Sequence, residues 1–349
     1  MPPAPVLVRF DPLHDFVARI FRAAGFSEAH AAIEADVLTW ANLRGVESHG
    51  IFRVPSYVAA IRAGEINPHP DIRAVHTAGA ASIVEADRAA GAIAMTVAME
   101  HAVSLARDHA VGWVLLRNTT HTGPMGYYAR AAADAGMIGI VASASKPLMA
   151  YHGTRVPTVS TNPLAIAAPR ADAPPLTADM ATAAIAWGKL AQARRSGATL
   201  PENVALDATG RVTTDSSEAV VPLPLAGPRG AGLSLMIECV TSLLAGVPLI
   251  APPLLGGTAG AAQWQHGLAV AVDIAAFTDL DRFVADAAEL AEAVKQQPRA
   301  DGFDEVFAPG ERGDSVLAER MENGIPVPGE QWRALVETAE SLGVEPPPE

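Results

Sequence analysis

Apolar residues recur along the chain with two periods, and the dominant period changes twice. Near the start the spacing is helical. Ser27 stands where an N-cap belongs, Ile33, Val37, Leu38 and Ala41 line one face, and Gly45 closes the run, predicting a helix over Glu28–Leu43. A second helix is predicted over residues 55–64, opened by Pro55. The segment Asn67-Pro68-His69-Pro70 then reads as a linker. Beyond it, short apolar runs alternate with helical stretches. Trp113-Val114-Leu115-Leu116 and residues 137–141, 164–168 and 268–274 read as buried strands. Helices fit residues 91–108, 125–135, 180–195 and 231–245. Past Asp279 the helical period returns with Phe283, Ala287, Leu290 and Val294, until Pro298 stops it. Two more helices fit residues 315–323 and 330–342, and the Glu345-Pro346-Pro347-Pro348-Glu349 tail is expected to be disordered. The pattern predicts a mixed α/β (α+β) protein. Both chain ends (1–72 with 279–349) form a helical domain beside a central α/β domain (73–278).

Composition narrows the class. The 349 residues carry 25 Lys and Arg against 38 Asp and Glu, a net charge of −13, and half of them are hydrophobic. That is a globular composition, long enough for about two domains. The acidic balance argues against a nucleic-acid surface. Cys239 is the sole cysteine, so no internal disulfide forms. Met1-Pro2-Pro3-Ala4-Pro5 has neither the cationic nor the apolar region of a signal peptide. The longest uncharged stretch, residues 239–272, is broken by Pro248, Pro252 and Pro253, which a membrane helix does not tolerate over its roughly 20 residues. The expectation is a soluble, cytoplasmic protein.

Motifs with metal, dithiol, P-loop or GxSxG spacing are absent, and no metal site is expected. There is no GxGxxG either, so a dinucleotide would not bind through the usual Rossmann fingerprint. Polar residues gather instead where the predicted strands end: Asn118-Thr119-Thr120-His121, then Ser143, Ser145 and Lys146, then Thr161-Asn162-Pro163, then Asp179 before a predicted helix. Each fits turn and capping chemistry as well as a site placed on loops by a rigid scaffold. Ser48-His49-Gly50, flanked by Arg44 and Arg53, fits an acid/base beside a carboxylate clamp, or a plain helix-connecting turn. His121 lies in the glycine-bearing run His121-Thr122-Gly123-Pro124-Met125-Gly126, where the backbone can approach a ligand closely.

Taken in order, these segments resemble the type-2 malate/L-lactate dehydrogenase family, which includes ureidoglycolate dehydrogenase. The segments that carry the resemblance are Arg44-Gly45-Val46-Glu47-Ser48-His49-Gly50 with Arg53, Ala63-Gly64-Glu65-Ile66-Asn67-Pro68, His121-Thr122-Gly123, Thr161-Asn162-Pro163-Leu164-Ala165, Asp179-Met180-Ala181-Thr182, Gly188-Lys189, Gly227-Pro228-Arg229-Gly230 and Pro309-Gly310-Glu311. The resemblance implies a non-Rossmann, L-sulfolactate dehydrogenase-like fold, a homodimer, and NAD or NADP as cofactor. It implies hydride exchange between that cofactor and a 2-hydroxy or 2-oxo acid of the malate, lactate or ureidoglycolate type. His121 matches a proton acceptor, and Ser48 and His49 match a relay and donor in related imine reductases. Arg53 and Thr161 match substrate contacts. Ser145, Asp179, Met180, Ala181, Arg229, Gly310 and Glu311 match cofactor contacts. Two positions depart from the family. Arg229 stands where the family usually has Lys, and Lys189 stands where the imine reductases have an acid.

A cyclic imino acid reductase and a catalytically silent binding homologue are the alternatives on this fold. A Ser48-His49 hydrolase is disfavoured, because neighbours in sequence rarely point at each other.

Overall fold

The computed structural model describes residues 5–257 and 264–347. Its first part runs β1 (Val6–Val8), α1 (Phe10–Ala23), α2 (Glu28–Leu43) and α3 (Val54–Arg62), with two 3₁₀ turns, Glu47–His49 and Ile51–Arg53, between the last two helices. The central part begins with β2 (Arg73–Ala78), β3 (Ala81–Glu85), α4 (Gly91–His109), β4 (Val111–Thr119), α5 (Met125–Asp134) and β5 (Met137–Ala144). It continues through β6 (Met149–Ala150), β7 (Pro157–Val159), β8 (Leu164–Arg170), β9 (Ala173–Met180) and α6 (Trp187–Ser196). Then come β10 (Ala205–Leu206), β11 (Val221–Pro222), α7 (Pro228–Glu238), α8 (Ala251–Leu254) and β12 (Gln265–Asp273). The chain closes with α9 (Leu280–Lys295), α10 (Glu311–Asn323), β13 (Ile325–Val327) and α11 (Gly329–Glu340).

Seven strands form one sheet in the order β2-β3-β4-β12-β5-β8-β9. Only β3 and β4 run parallel, and the remaining neighbours are antiparallel. A Rossmann sheet is parallel with helical crossovers, so the expected non-Rossmann architecture is the one observed. The four strands read from the apolar runs are all in this sheet. Alternation assigns their faces. Val114, Leu116, Ala269 and Ala271 pack under α4 and α5, while Leu115, Leu268 and Val270 meet Ile237 of α7 on the other side.

The chain ends meet. β1 pairs antiparallel with β13, Val6 opposite Val327. Around that pair, Leu13, Phe16, Ile20 and Phe21 of α1 share a core with Leu38, Tyr57, Val58, Ile325, Leu335 and Ala339.

Three expectations need correction. The helix predicted over residues 180–195 begins only at Trp187, because β9 runs through Met180. Pro174 and Pro175 masked that strand. They are tolerated because β9 is a sheet edge, where a missing N–H breaks no ladder. The first helix is α1, not α2; its apolar residues at 13, 16, 17, 20 and 21 recur at helical spacing. The hairpin β2–β3 was unmarked because β2 is exposed along its whole length and shows no alternation. The disordered-tail expectation falls partly on Pro348 and Glu349, which lie outside the described residues.

A buried ion-pair cluster joins the two parts of the chain. Arg44, at the end of α2, donates to Asp314 of α10 and, at 2.9 Å, to the Gly310 carbonyl. Arg130 of α5 reaches the same Asp314 at 3.1 Å, and all three side chains are at most 15% exposed. Removing one member of such a cluster strands the others without counter-charge. Asp314→Ala should therefore lower unfolding stability by about 3–5 kcal/mol in urea titration at neutral pH. A loss below about 1 kcal/mol would show that the cluster does not hold the parts together.

Candidate active site

The 3₁₀ turn after α2 folds Ser48 back onto its neighbour. Ser48 Oγ lies 2.9 Å from His49 Nδ1, so here adjacent residues do point at each other. The turn is held by Asn42, whose side-chain oxygen accepts from the Ile51 N–H at 2.7 Å. Arg53 sits at the following turn and donates through Nε to the Ser48 carbonyl at 2.8 Å. Among the described residues no carboxylate forms an ion pair with Arg53.

His121 arrives from the end of β4. Its ring stacks on His49, with centroids 5.4 Å apart and planes tilted by 25°. Its Nδ1 lies 2.5 Å from the Tyr57 hydroxyl of α3. Both histidines thus have Nδ1 engaged by a hydroxyl. Burial pushes the His49 imidazole down to about 4, with the Arg53 cation adding to the effect. Burial, then Arg53, then His49 push His121 well below its ordinary value. Both shifts favour the neutral imidazole, the form that has a nitrogen free to accept a proton.

Asp179 stands on strand β9 and not at a helix start. Its Oδ2 accepts from the Gly126 N–H, 2.8 Å away, at the first turn of α5. A Cβ on Gly126 would come 3.0 Å from that oxygen, so glycine permits the approach. Asp179 opens to solvent at one side, yet the surrounding protein raises its carboxyl. The Gly126 N–H and the Arg44 charge partly offset that rise. His121 and Asp179 therefore flank the N-terminus of the same helix. On the other side, Gly188 at the start of α6 packs on Ser48, where a Cβ would collide with the serine side chain. Lys189 beside it is exposed and makes no contact with the Ser48–His49 pair among the described hydrogen bonds.

The remaining predicted positions fall into two groups. Gly310, in left-handed conformation at the start of α10, lies against Thr177 two residues before Asp179. Both Glu311 oxygens are engaged: Oε1 accepts from Arg170 and Lys295, and Oε2 accepts from the Ala308 N–H. The second group lies past Met180 and Ala181. The Thr161 carbonyl accepts from the Thr182 N–H, Ser145 Oγ meets Ser160 Oγ at 2.5 Å, and Asn162 bonds the Ser234 carbonyl of α7. Arg229 is exposed on the first turn of α7. The Thr182 hydroxyl is buried here without a partner.

Two residues at the site were not foreseen. Tyr57 lies one helical turn beyond Arg53, a spacing that marked it. Glu34 is 1% exposed inside α2, and burial raises its carboxyl to about 8. A lone acid between Ile33 and Ala35 on an apolar face was the signal.

A family model described as malate/L-lactate dehydrogenase matches residues 8–336. The chain is 35% identical to the malate dehydrogenase of Pyrococcus horikoshii, covering 96% of this chain and 95% of that protein. It is 33% identical to the ureidoglycolate dehydrogenase (NAD(+)) of Escherichia coli O157:H7, covering 94% and 95%. The sulfolactate dehydrogenase structure from Methanocaldococcus jannaschii superposes with a TM-score of 0.88 at 33% identity, covering 97% of this chain and 98% of that one. The Δ1-piperideine-2-carboxylate reductase structure from Pseudomonas syringae pv. tomato superposes at 0.83 with 26% identity, covering 96% and 100%. The chain belongs to the malate/L-lactate dehydrogenase family.

The depressed histidines contribute to the acid limb of stability. A base whose folded pKa is lowered contributes stability above its unfolded value, and that contribution is lost as pH falls through the folded value. For His49, and for buried His266, also lowered to about 4, the window runs from about 6.5 down to about 4. Urea titrations at pH 7, 5.5 and 4.5 should show a steep loss across that window. A His266→Gln variant should show a shallower slope, and parallel slopes would mean that His266 titrates as if exposed.

Proposed function

We propose that this protein is a nicotinamide-dependent dehydrogenase that exchanges a hydride between NAD or NADP and a small 2-hydroxy or 2-oxo acid. One observation carries the reading. An arginine without a counter-carboxylate, Arg53, lies beside two stacked neutral histidines. That arrangement suits a substrate with a carboxylate next to a carbon that loses a hydride while its hydroxyl loses a proton.

The residues present fit the cofactor. The end of β9 is an exposed edge, Asp179 supplies a carboxylate toward it, the Thr182 hydroxyl is orphaned, and Arg229 is an exposed cation. Ser145, Asp179, Met180, Ala181, Arg229 and the Gly310 turn would hold it. Glu311 would act on that turn from behind, since its oxygens are already bonded. When bound, the nicotinamide accepts or gives the hydride. Arg53 grips the substrate carboxylate bidentately, with Nε anchored to Ser48 and the outer nitrogens free. Thr161 borders the substrate. His121 takes the hydroxyl proton at Nε2, and returns it in the reverse direction. His49, with Ser48 on its Nδ1, stacks beside it as the second candidate acid/base. The neutral rings favour proton acceptance over the protonated donor that a cyclic imino acid reductase needs. The exposed Lys189 points the same way, because no acid completes the Ser48–His49 pair. The terminal segments (1–72 with 279–349) supply Ser48, His49, Arg53 and the Gly310 turn, and the central segment (73–278) supplies the rest.

We also infer a homodimer in the cytoplasm. Leu233, Met236, Leu243 and Leu244 are exposed on and just after α7, more apolar surface than a solitary helix face explains. Light scattering should report twice the chain mass, and Leu244→Glu should shift it toward one. A wild-type monomer would contradict the pairing.

Turnover is read at 340 nm with NADH and NADPH against oxaloacetate, pyruvate, 2-oxoglutarate and the oxidised form of sulfolactate, and in reverse with ureidoglycolate. Absence of turnover in both directions across this panel would defeat the reading. On the substrate so found, His121→Ala should lower kcat about 10²–10⁴-fold while cofactor binding is kept. If His49→Ala alone abolishes turnover, the two roles are exchanged. Arg53→Lys keeps the charge and loses the two-pronged geometry. It should cost about ten- to a hundredfold in kcat/KM on the acid, and much less on its neutral ester. Equal losses would assign Arg53 to the fold.

A further inference from the structure

β12 lies between β4 and β5 in the sheet and runs antiparallel to both. Its first residues therefore stand between the ends of those two strands. Past its end β4 leads to His121, and β5 leads to Ser145. Gln265 opposes Thr119 of β4, and His266 opposes Ala144 of β5. Alternation with Ala269 and Ala271 puts Gln265 on the face covered by α4 and α5. A bulge redirects the end of β4. Gly267 pairs with Leu116 and Gln265 with Thr119, so Arg117 and Asn118 together face His266. Asn118 takes a left-handed φ of 58°, and its N–H donates to His266 Nδ1 at 3.0 Å.

Up to Thr120 the strand end rests on the segment before α4. The Thr119 and Thr120 hydroxyls donate to the Ala89 carbonyl at 3.1 and 3.3 Å. Gly91, at the start of α4, lies so close to the His121 carbonyl that a Cβ would collide with it. Beyond that point the hold comes from Gln265. Its Oε1 accepts from the Thr122 N–H and from Thr122 Oγ1, each at 3.4 Å, and from Ser143 Oγ at 3.3 Å. A backbone N–H can only donate, so the amide oxygen is the atom that faces Thr122. The Thr122 carbonyl accepts from the Tyr128 hydroxyl at 2.5 Å. Both backbone polar groups of the residue after His121 are thus bonded by side chains, one from β12 and one from α5. Ser143 stands on β5, two residues before Ser145. Among the described hydrogen bonds, Gln265 is the one side chain that joins the His121 loop to the strand leading to Ser145.

We propose that Gln265 is a positioning residue whose carboxamide oxygen clasps Thr122 to Ser143, and so sets the distance between the His121 base and the cofactor held at Ser145. The inference rests on the proposed dehydrogenase reading. In that reaction the substrate carbon lies between base and nicotinamide, and a displacement of about 1 Å in either can cost about 10²-fold in rate. Gln265 gives and takes no proton during turnover. Its part is to keep two loops from different strands in register while the substrate proton moves to His121 and the hydride leaves from carbon.

Amide hydrogen exchange over residues 119–124, measured on the full chain without substrate, reads the clasp directly. Gln265→Leu removes the acceptor and should speed exchange there about two- to tenfold. Gln265→Glu keeps an acceptor oxygen at the same reach and should retain wild-type exchange. Gln265→Asn keeps the amide but withdraws the oxygen by one methylene, and should follow Gln265→Leu. On the substrate found by the panel, Gln265→Leu should lower kcat about ten- to a hundredfold, with KM and the cofactor Kd little changed. Ser143→Ala cuts the same clasp at its other end, so the double variant should match Gln265→Leu alone. Wild-type exchange in folded Gln265→Leu, exchange in Gln265→Glu as fast as in Gln265→Leu, a raised KM with kcat kept, or losses that multiply in the double variant would overturn the clasp. If Gln265→Leu does not fold, Gln265→Asn decides by the same readings. The expected exchange pattern without turnover of any acid in the panel would support the hold on Thr122 and defeat the dehydrogenase reading alone.

Discussion

The guanidinium of Arg44 is the point on which the site depends. It ends α2, immediately before the turn that carries Ser48, His49 and Arg53. It bonds Asp314 and the Gly310 carbonyl, so it fixes the start of α10 against β9. Arg130 shares the same aspartate from α5, the helix whose N-terminus meets Asp179 and follows His121. Arg44 also acts on Asp179 through space. One buried cation thus ties together four segments that are far apart in sequence. Burying it is expensive, and desolvation pulls its pKa down. Two carboxylates and a carbonyl offset that expense, and rigidity of the cleft is what results.

The sequence showed most of the fold where burial imposes a period. The central strands are apolar on both faces because helices cover both faces, so β4, β5, β8 and β12 stood out. Edge strands gave no such signal. β2 is exposed along its length, and β9 begins with two prolines that only an edge admits. Missing β9 put Asp179 at a helix start. The error mattered locally, since a strand position aims the carboxylate at the Gly126 N–H instead of capping its own segment.

The site was legible as a set of segments and illegible as a geometry. Ser48, His49, Arg53 and His121 were readable from their neighbours, but nothing in spacing shows that two histidines 72 positions apart stack. Tyr57 and Glu34 escaped because a tyrosine and a lone acid on apolar helix faces have ordinary structural explanations. Glu311 shows the reverse case. It matches a cofactor contact by position, and both of its oxygens already accept from Arg170, Lys295 and a backbone N–H.

The central claim is that a hydride passes directly between the 2-carbon of the acid and the nicotinamide while neutral histidines manage the proton. The most direct measurement follows deuterium. Malate, lactate and sulfolactate labelled at C2 are incubated with NAD+ or NADP+, and the reduced cofactor is examined by proton NMR and mass spectrometry. With the accepted acid, the label should appear at C4 of the reduced nicotinamide and none should be lost to water. Reduced cofactor without the label, or label released to solvent, would contradict direct transfer.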